Sequence, residues 1–311
     1  MKVFYNINDF TPPNNNVVTT GTFDGVHLGH KIILNRLINI SKNISGESTL
    51  LTFSPHPRHV LFPNNQDLKL LNTQDEKIKH LEQLGINNLI IHPFTKKFSR
   101  ISSSQFIEEI ISQKLSTKKL VIGYDHRFGK NREGSFEHLK ENCNSYGFQV
   151  EEIPAKDINQ VNISSTKIRK AIACGDIKTA NQFLGYNFNI TGKVIHGNQI
   201  GRKIDFPTAN LSIPDLYKII PAKGVYCCEI KVENKSFFGM VNIGSKPTVT
   251  NDNQKHIEVH IFNFNDNIYN YDITISFIDK LRDEIKFNNL EELKNQLVFD
   301  KKSSLERLKI A

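Results

Sequence analysis

The hydrophobic pattern of the chain changes at Gly185, and this change limits the possible folds. Before it, short apolar strands such as "TLLTFS" and "KLVIGY" alternate with segments of helical periodicity. Strands that alternate with helices favour a parallel, doubly wound sheet. After it, segments such as "GVYCCEIKV" and "YDITISFIDKL" alternate with period two, and no helix stands between them. An antiparallel barrel or sandwich of about six strands is expected there.

The length of 311 residues also favours two domains, because single hydrophobic cores stop growing at about 250–300 residues. We predict an α/β domain over residues 1–185. A β-rich domain follows over residues 186–311 and ends in the helical segment "NNLEELKNQLVFDKKSSLERLKIA". Two short helices, "SSTKIRKAIACG" and "DIKTANQFLG", precede this boundary.

Composition and charge set broader limits. No run of 18 apolar residues occurs, and "MKVFYNINDF" shows no signal-peptide pattern, so we expect a cytoplasmic protein without a membrane span. The formal net charge of +8 is spread along the chain and suits phosphorylated ligands as well as nucleic acid. The four cysteines form no C-x-x-C pair, which favours reduced thiols over a metal site. They are Cys143, Cys174, Cys227 and Cys228.

The stretch "GTFDGVHLGH", residues 21–30, follows a strand and opens a helix. Gly-rich turns bind phosphate at a helix N-terminus in this context. His27 and His30 are three residues apart and share one helix face, and Gly29 leaves the backbone open to a base or a phosphate. Imidazole N–H groups and the helix dipole can together stabilise charge on an α-phosphate. The alternative is a histidine-bearing turn without function, but the complete pattern after a strand favours a phosphate site.

"GTFDGVHLGH" resembles the signature of the HxGH nucleotidyltransferases. More narrowly, it resembles the adenylyltransferase half of the prokaryotic bifunctional riboflavin kinase/FMN adenylyltransferases. Further matches follow in the order of that family: "TFSPHPR", "VIGYDHRFGKNREG" and "ISSTKIR". The resemblance implies a Rossmann-like domain that transfers AMP from ATP to the phosphate of FMN and releases pyrophosphate.

The resemblance also implies site residues. It gives His27, His30 and Arg169 catalytic roles, and it places Asp125 and Phe128 near FMN. His126, Arg127 and Lys130 of the same motif could contribute to ligand binding, but they fit solvated loop positions equally well. Besides His27, His30 and Arg169, the matched residues that would bind ATP are Gly21, Phe23, Asp24, Gly25, Gly29, Ser164, Ser165 and Thr166.

"TGKVIHGNQIGRKIDFPTANL", residues 191–211, resembles the riboflavin kinase signature with its P-T-A-N core. Its glycines would let backbone N–H groups surround phosphates, as a nest does. The hydroxyl of Thr208 and the amide oxygen of Asn210 suit Mg²⁺ that bridges ATP phosphates. The residues implied for ATP binding are Gly192, Lys193, Gly197, Gly201, Lys203, Thr208 and Asn210.

A kinase that phosphorylates a hydroxyl needs a group that orients the hydroxyl and accepts its proton. Glu258 in "HIEVHIF" matches the general base of the family, and period-two alternation places Glu258 and His260 on one face. A carboxylate on a strand often marks only the solvent face, but the flanking match favours the catalytic interpretation. "VNIGSKPTV" and "LRDEIKFNNLEELKNQL" also match. They imply that Asn242, Thr248 and Arg282 lie near the flavin and the nucleotide.

Three residues depart from the pattern of the family. Asp205 stands where Gly is common, Asn263 where Asp is usual, and Asn270 where Gly is common. Aspartate tolerates left-handed backbone better than most residues, so the turn at Asp205 should be kept.

The resemblance as a whole implies that riboflavin is phosphorylated to FMN and that FMN is adenylylated to FAD. ATP is the co-substrate, and Mg²⁺ is the expected metal. Small molecules are the expected partners, without nucleic acid or membrane, and a monomer is possible. One rival is a nucleotidyltransferase for pantetheine phosphate or glycerol phosphate, which has no need of the P-T-A-N domain. The other is a flavin- or RNA-binding regulator without activity.

Overall fold

The computed structural model describes residues 1–64, 67–124, 127–129, 139–140, 145–154, 163–197, 201, 204–245 and 255–309. The chain divides into two compact units, Met1–Ser165 and Thr166–Ala311. This division falls before the two short helices, whereas the sequence analysis places the domain boundary after them. The boundary near residue 185 therefore stays a prediction.

The first unit contains a six-stranded sheet in which every pair is parallel, in the order β1-β4-β3-β2-β5-β6. The predicted doubly wound parallel sheet is thus confirmed. The chain runs from β2 to β3 and β4 on one side and then returns to β5 on the other. Ligands bind in such sheets beyond the carboxyl ends of the strands, where the order reverses. The strands are β1 (Lys2–Phe4), β2 (Asn16–Thr20), β3 (Glu47–Ser54), β4 (Asn88–Pro93), β5 (Thr117–Gly123) and β6 (Gln149–Ile153).

Both faces of this sheet are buried. Val18, Leu51 and Ile90 belong to one apolar cluster. Their strand neighbours Val17 and Leu50 belong to a second cluster. Successive side chains on a strand point to opposite faces, so helices must cover both sides. This explains why these strands read as continuous apolar runs rather than as alternating ones.

The helices of the first unit begin and end at recognisable signals. The capping box of Thr73 and Glu76 is present as predicted, and Gly85 ends that helix with φ 87°. The segment after Ser102 begins as an α-helix and continues as a π-helix over Phe106–Lys114. The helix predicted near residues 135–145 lies mostly outside the described residues. The helices are α1 (Leu28–Asn43), α2 (Pro57–Leu61), α3 (Gln74–Leu84) and α4 (Ser103–Gln105), with short 3-10 turns at Ile7–Asp9 and Phe98–Arg100.

Asn16, at the start of the central strand β2, is fully buried. Its Nδ2 donates to the carbonyl of Leu115 at 2.7 Å, and its Oδ1 accepts from the hydroxyl of Thr49 at 2.5 Å. One side chain therefore connects β2 to β3 and to the segment before β5. Buried polar groups are costly unless every partner is satisfied.

Asn16→Ala would leave the Leu115 carbonyl and the Thr49 hydroxyl without this partner. We expect the free energy of unfolding to fall by about 2–4 kcal/mol, measured by urea titration. Asn39→Ala, at an exposed position of α1, is the matched control and should change it by less than about 0.5 kcal/mol. Equal effects of the two substitutions would contradict the role of this network.

The second unit contains a closed barrel of six antiparallel strands in the order β10-β11-β8-β7-β12-β9. The predicted barrel is confirmed, and β8 is a strand that the sequence analysis did not predict. The strands are β7 (Asn189–Ile195), β8 (Ala209–Ser212), β9 (Gly224–Val232), β10 (Lys235–Ser245), β11 (Lys255–Ile261) and β12 (Asp272–Arg282).

Alternation along the strands separates the two faces of the barrel. Tyr226 and Cys228 share a side with Val241, whereas Val225 and Cys227 point the other way. Cys227 and Cys228 are free and buried. Burial raises the pKa of Cys227 to about 11 and that of Cys228 well above its usual value. Such thiols remain protonated at neutral pH and serve as small apolar groups, whereas Cys174 is exposed.

Three helices complete the second unit: α5 (Ser165–Cys174), α6 (Ile177–Leu184) and α7 (Leu290–Leu308). The short helices α5 and α6 are tied to the barrel strands and loops. The amide of Ala222 donates to the carbonyl of Ile172, and Nδ2 of Asn181 donates to the carbonyl of Phe277 at 2.9 Å. These bonds explain why α5, apart from its first residue, is grouped with the second unit.

The three departures from the family pattern share one property. Asp205, Asn263 and Asn270 have φ values of 66°, 53° and 67°. Asparagine and aspartate are the non-glycine residues that best tolerate this left-handed region. The prediction that the turn at Asp205 is kept is therefore confirmed.

Candidate active sites

The first candidate site begins with an unusual turn between β2 and α1. Phe23, Gly25 and Val26 have φ values of 44°, 87° and 37°. Non-glycine residues in this region cost about 1–3 kcal/mol each and persist only where their surroundings hold them. The turn is compact, so α1 starts directly beyond the carboxyl end of β2, at the edge where the strand order reverses.

Asp24 supplies much of the support for this turn. Its carboxylate is buried and accepts the N–H of Leu71 at 3.0 and 3.1 Å and the N–H of Asn72 at 3.3 Å. The ammonium group of Lys77 donates to the carbonyl of Thr22 at 2.9 Å. Burial lowers the pKa of Lys77, and the nearby charge of Asp24 opposes that shift. Asp24 thus anchors the turn, and its contact with ATP stays a prediction.

His27 and His30 stand at the N-terminus of α1. Nδ1 of His27, the N-cap, accepts the backbone N–H of His30 at 3.3 Å. The neutral ring of His27 therefore carries its proton on Nε2. The two rings stack at 3.6 Å, and the ring of Phe23 lies 5.0 Å from that of His30. The three-residue spacing thus places both imidazoles together at a helix N-terminus, where negative charge is stabilised.

A second motif lies beside this turn. The hydroxyl of Ser165 donates to the carbonyl of Asp24 at 3.0 Å, across 141 positions of the chain. The start of "SSTKIR" is thereby attached to "GTFDG" within the first unit. Ser164 immediately precedes α5, and Thr166 and Arg169 lie on α5.

Residues predicted near FMN have different outcomes. Phe128 is buried in the core of the first unit, where its ring stacks on Phe106 at 5.9 Å. The next residue, Gly129, has φ 74°, and a Cβ there would lie 2.6 Å from the backbone of Ser103. Asp125, like His126 and Lys130, lies outside the described residues. A flavin contact of Phe128 stays a prediction.

The second candidate site is a cavity of about 290 Å³ against the barrel. It lies on the face of β11 opposite to the buried residues Ile257 and Val259. Six residues predicted from the kinase motifs contribute to its lining: Gly201, Thr208, Asn210, Asn242, Glu258 and Arg282. Residues distant in sequence are thus collected in one place.

Strand register explains why three of them are neighbours. Glu258 on β11 pairs with Asn242 on β10 and with Asn210 on β8. Directly opposed residues in a sheet point to the same face and have Cβ atoms about 4.5–5.5 Å apart. The predicted base is thus flanked by two amides in a row across three strands.

The surroundings of Asn210 form a close-fitting cradle. Its Oδ1 is buried, and no hydrogen bond reaches this atom from the part of the chain that the structure describes. A Cβ at Gly197 would lie 1.8 Å from its Nδ2, so glycine is required there. Likewise a Cβ at Gly201 would lie 2.1 Å from the carbonyl oxygen of Phe206. A buried acceptor oxygen of this kind suits a hard cation.

Other kinase-motif residues are placed differently. Gly192 lies within β7, where a Cβ would come within 2.6 Å of the Ser212 carbonyl oxygen. Close packing explains this glycine, and Lys193 beside it is exposed. Their contacts with ATP stay predictions. Lys203 and Thr248 lie outside the described residues.

The cavity also contains residues that the sequence analysis did not select. His260 is buried, and its Nδ1 donates to the carbonyl of Pro207 at 2.8 Å. Burial lowers the pKa of His260, while this hydrogen bond acts in the opposite direction. The neutral imidazole of His260 therefore holds the P-T-A-N turn through this hydrogen bond. The sequence signal that could have identified His260 is period-two alternation, which places it on the same face as Glu258.

The cavity has an apolar wall. It combines residues of the barrel and of the segment before β8 with two leucines of α7: Ile204, Phe206, Val225, Met240, Leu293 and Leu297. Val225 pairs directly with Asn242, so the amides and the carboxylate lie beside this wall. An apolar surface with a few fixed polar groups is the usual arrangement for an organic ligand.

Arg282, at the end of β12, is fixed by a buried carboxylate of α7. Its Nε approaches the two oxygens of Asp300 at 3.0 and 3.1 Å, and its Nη2 donates at 2.8 Å. Gln296 donates to the same carboxylate at 2.8 Å. Asp300 is 2% exposed. The pair therefore joins α7 to the barrel beside the cavity.

Asp300→Asn would remove the negative charge and replace one carboxylate oxygen by an NH2 group, which cannot accept a hydrogen bond from the guanidinium group. Because the pair is buried, we expect the free energy of unfolding to fall by about 3 kcal/mol, measured by urea titration. The matched control is Asp205→Asn, which breaks the exposed pair with Lys294 and keeps a residue suited to left-handed backbone. That change should cost less than about 1 kcal/mol. A control that costs as much as Asp300→Asn would refute this assignment.

Comparisons with known proteins agree with the two-part organisation. A family model described as FAD synthetase matches residues 10–167, and one described as riboflavin kinase matches residues 184–308. A bifunctional riboflavin kinase/FMN adenylyltransferase of Buchnera aphidicola subsp. Schizaphis graminum is 40% identical over 306 residues, covering 96% of each chain. The protein of that name from Escherichia coli strain K12 is 33% identical over 309 residues, covering 98% of this chain and 97% of its own.

One solved structure is similar over nearly the whole chain. It is a protein of Streptococcus pneumoniae named a macrolide-efflux protein, with a TM-score of 0.88, 30% identity and 97% of both chains covered. Within the residues that the structure describes, no helix has the length and apolar character needed to span a bilayer.

Proposed function

The chain belongs to the family of bifunctional riboflavin kinase/FMN adenylyltransferases, and from this premise we propose which of its residues perform the two reactions. The FAD synthetase domain is N-terminal and the riboflavin kinase domain is C-terminal. The kinase domain phosphorylates riboflavin with ATP to give FMN. The other domain transfers AMP from ATP to FMN and gives FAD and pyrophosphate.

In the adenylyl transfer, an oxygen of the FMN phosphate attacks the α-phosphorus of ATP. The bond between that phosphorus and the pyrophosphate oxygen breaks. The attacking phosphate is already ionised at neutral pH, so positioning and charge neutralisation suffice. We assign His27 and His30 to the α-phosphate. The observation that supports this is the stacking of both imidazoles at the N-terminus of α1.

The neighbouring motifs complete this site in our proposal. Ser164, Ser165 and Thr166 would contact the triphosphate, and Arg169 would neutralise its charge, as the match to "SSTKIR" implies. The bond from Ser165 to the Asp24 carbonyl supports the attachment of this motif to the turn. Gly21, Gly25 and Gly29 would leave space for the nucleotide.

His27→Asn tests the role of the imidazole apart from that of the helix cap. Asparagine is a good N-cap, so α1 keeps its acceptor while the ring is lost. We expect FAD formation from FMN to fall by about 10²–10³-fold, whereas FMN formation from riboflavin is unchanged. Chromatographic separation of flavins measures both rates in one sample. Unchanged FAD formation would refute the assignment.

In the kinase reaction, the terminal hydroxyl oxygen of riboflavin attacks the γ-phosphorus of ATP. ADP leaves, and the hydroxyl proton passes to a base. We propose Glu258 as that base. The row of Asn210, Glu258 and Asn242 on the cavity wall is the observation that supports it most directly. The apolar wall would hold the isoalloxazine ring, with Asn242 and Arg282 near the flavin.

Mg²⁺ is proposed as the metal of this site. The hydroxyl of Thr208 and Oδ1 of Asn210 would hold it, because hard cations prefer oxygen ligands. The buried Oδ1 without a hydrogen bond from the described residues supports this fit. When bound, Mg²⁺ would neutralise charge on the ATP phosphates.

Glu258→Gln keeps the size of the side chain but removes the proton acceptor. We expect the kcat of the kinase to fall by about 10²–10⁴-fold, while FAD formation from supplied FMN continues at the original rate. Product FMN is measured with radiolabelled ATP. A kinase rate near that of the original protein would disprove the role of Glu258.

Incubation of the protein with riboflavin, ATP and Mg²⁺ tests the overall function, and both FMN and FAD should appear over time. We also propose a cytoplasmic location, because both reactions consume ATP. A monomer without nucleic-acid or membrane partners is our expectation, since each site draws its proposed residues from one chain. Gel filtration tests the oligomeric state.

A further inference from the structure

A histidine next to the kinase cavity makes a contact that the two reactions above leave unused. Nε2 of His256 lies 3.1 Å from Oε1 of Glu258, two residues further along β11. The two side chains are 22% and 36% exposed. A carboxylate only accepts hydrogen bonds when ionised, so the ring nitrogen is the donor.

We propose that His256 is the positioning residue of Glu258 and fixes its carboxylate for proton transfer. This inference rests on the proposed role of Glu258 as the base. His256 is absent from the cavity lining, whereas Glu258 belongs to it. His256 therefore acts through Glu258 and has no substrate contact of its own in this proposal.

The geometry explains why such a partner matters. A glutamate side chain rotates about three bonds, and a base must be held in productive orientation. The neighbours of Glu258 across the sheet, Asn210 and Asn242, are neutral amides. His256 engages one carboxylate oxygen, Oε1, and the second oxygen can then face the substrate hydroxyl.

The strand opposite His256 contributes no side chain of its own at this position. Its partner on β10 is Gly244, which has no side chain. A Cβ at Gly244 would lie 2.5 Å from Oε1 of Glu284 and 3.7 Å from Nδ2 of Asn242. The side chains of Asn242 on β10 and of Glu284, which follows β12, thus occupy the space above Gly244. Glu284 therefore lies on the same face of the sheet as His256 and Glu258.

The test uses the full-length protein with three substitutions. His256→Phe keeps a ring but removes the donor, His256→Gln restores a donor, and His256→Ala opens space for added imidazole. For the Phe and Ala variants we expect the kcat of the kinase to fall by about 10–100-fold, with the KM values for riboflavin and ATP changed by less than about twofold. The Gln variant should recover much of the rate.

Added imidazole should raise the kinase rate of His256→Ala and leave that of His256→Phe unchanged. FAD formation from FMN is the internal measure of active protein. His80→Gln on α3 is the matched control, and its kinase rate should stay at the original value. A purely structural role of His256 would lower stability but would show no rescue by imidazole.

Glu258→Gln separates this inference from the proposed function. In that background, removal of His256 should cause no further loss, because the group that it positions is gone. An equal loss in both backgrounds, or an unchanged kcat in His256→Phe, would overturn the inference and leave the role of Glu258 standing. Full activity of Glu258→Gln would overturn both.

Discussion

The carboxylate of Asp24 accepts backbone N–H groups from Leu71 and Asn72, and the first candidate site depends on these bonds. Together with the burial of Phe23 and Val26, they offset the cost of the positive φ values at these two residues. A helix N-terminus binds anions through its free N–H groups. The buried side chain of Asp24 supports the turn that brings the histidines to this position at the start of α1.

In the second unit, a histidine rather than an aspartate holds the loop beside the candidate site. His260 donates from Nδ1 to the Pro207 carbonyl and holds the P-T-A-N turn against β11. Asp205 provides a left-handed position in the same loop, and Gly197 gives Asn210 its space. In both units, then, a buried polar side chain holds a loop whose backbone conformation or close packing suits few residue types.

Much of this could be predicted from the sequence, because periodicity reports burial. The alternation of strands with helices predicted the parallel sheet, and period two predicted the barrel and the face of Glu258. The strand β8 escaped prediction because four residues, Ala209–Ser212, are too few to show a period. Contacts such as that of Arg282 with Asp300 join separate elements, and no local pattern encodes them. Phe128 illustrates the same limit, since only the tertiary fold places its ring on Phe106.

The different chemistry of the two substrates explains why the two proposed sites use different residues. The phosphate of FMN is ionised near neutral pH, with a second pKa of about 6, so its site needs donors that neutralise charge rather than a base. Imidazoles at a helix N-terminus meet that need. The hydroxyl of riboflavin keeps its proton at neutral pH, and its site must supply an acceptor. A carboxylate in a row of neutral amides can accept that proton, provided that its orientation is fixed. This need for a fixed orientation is what gives a neighbouring donor such as His256 a chemical purpose.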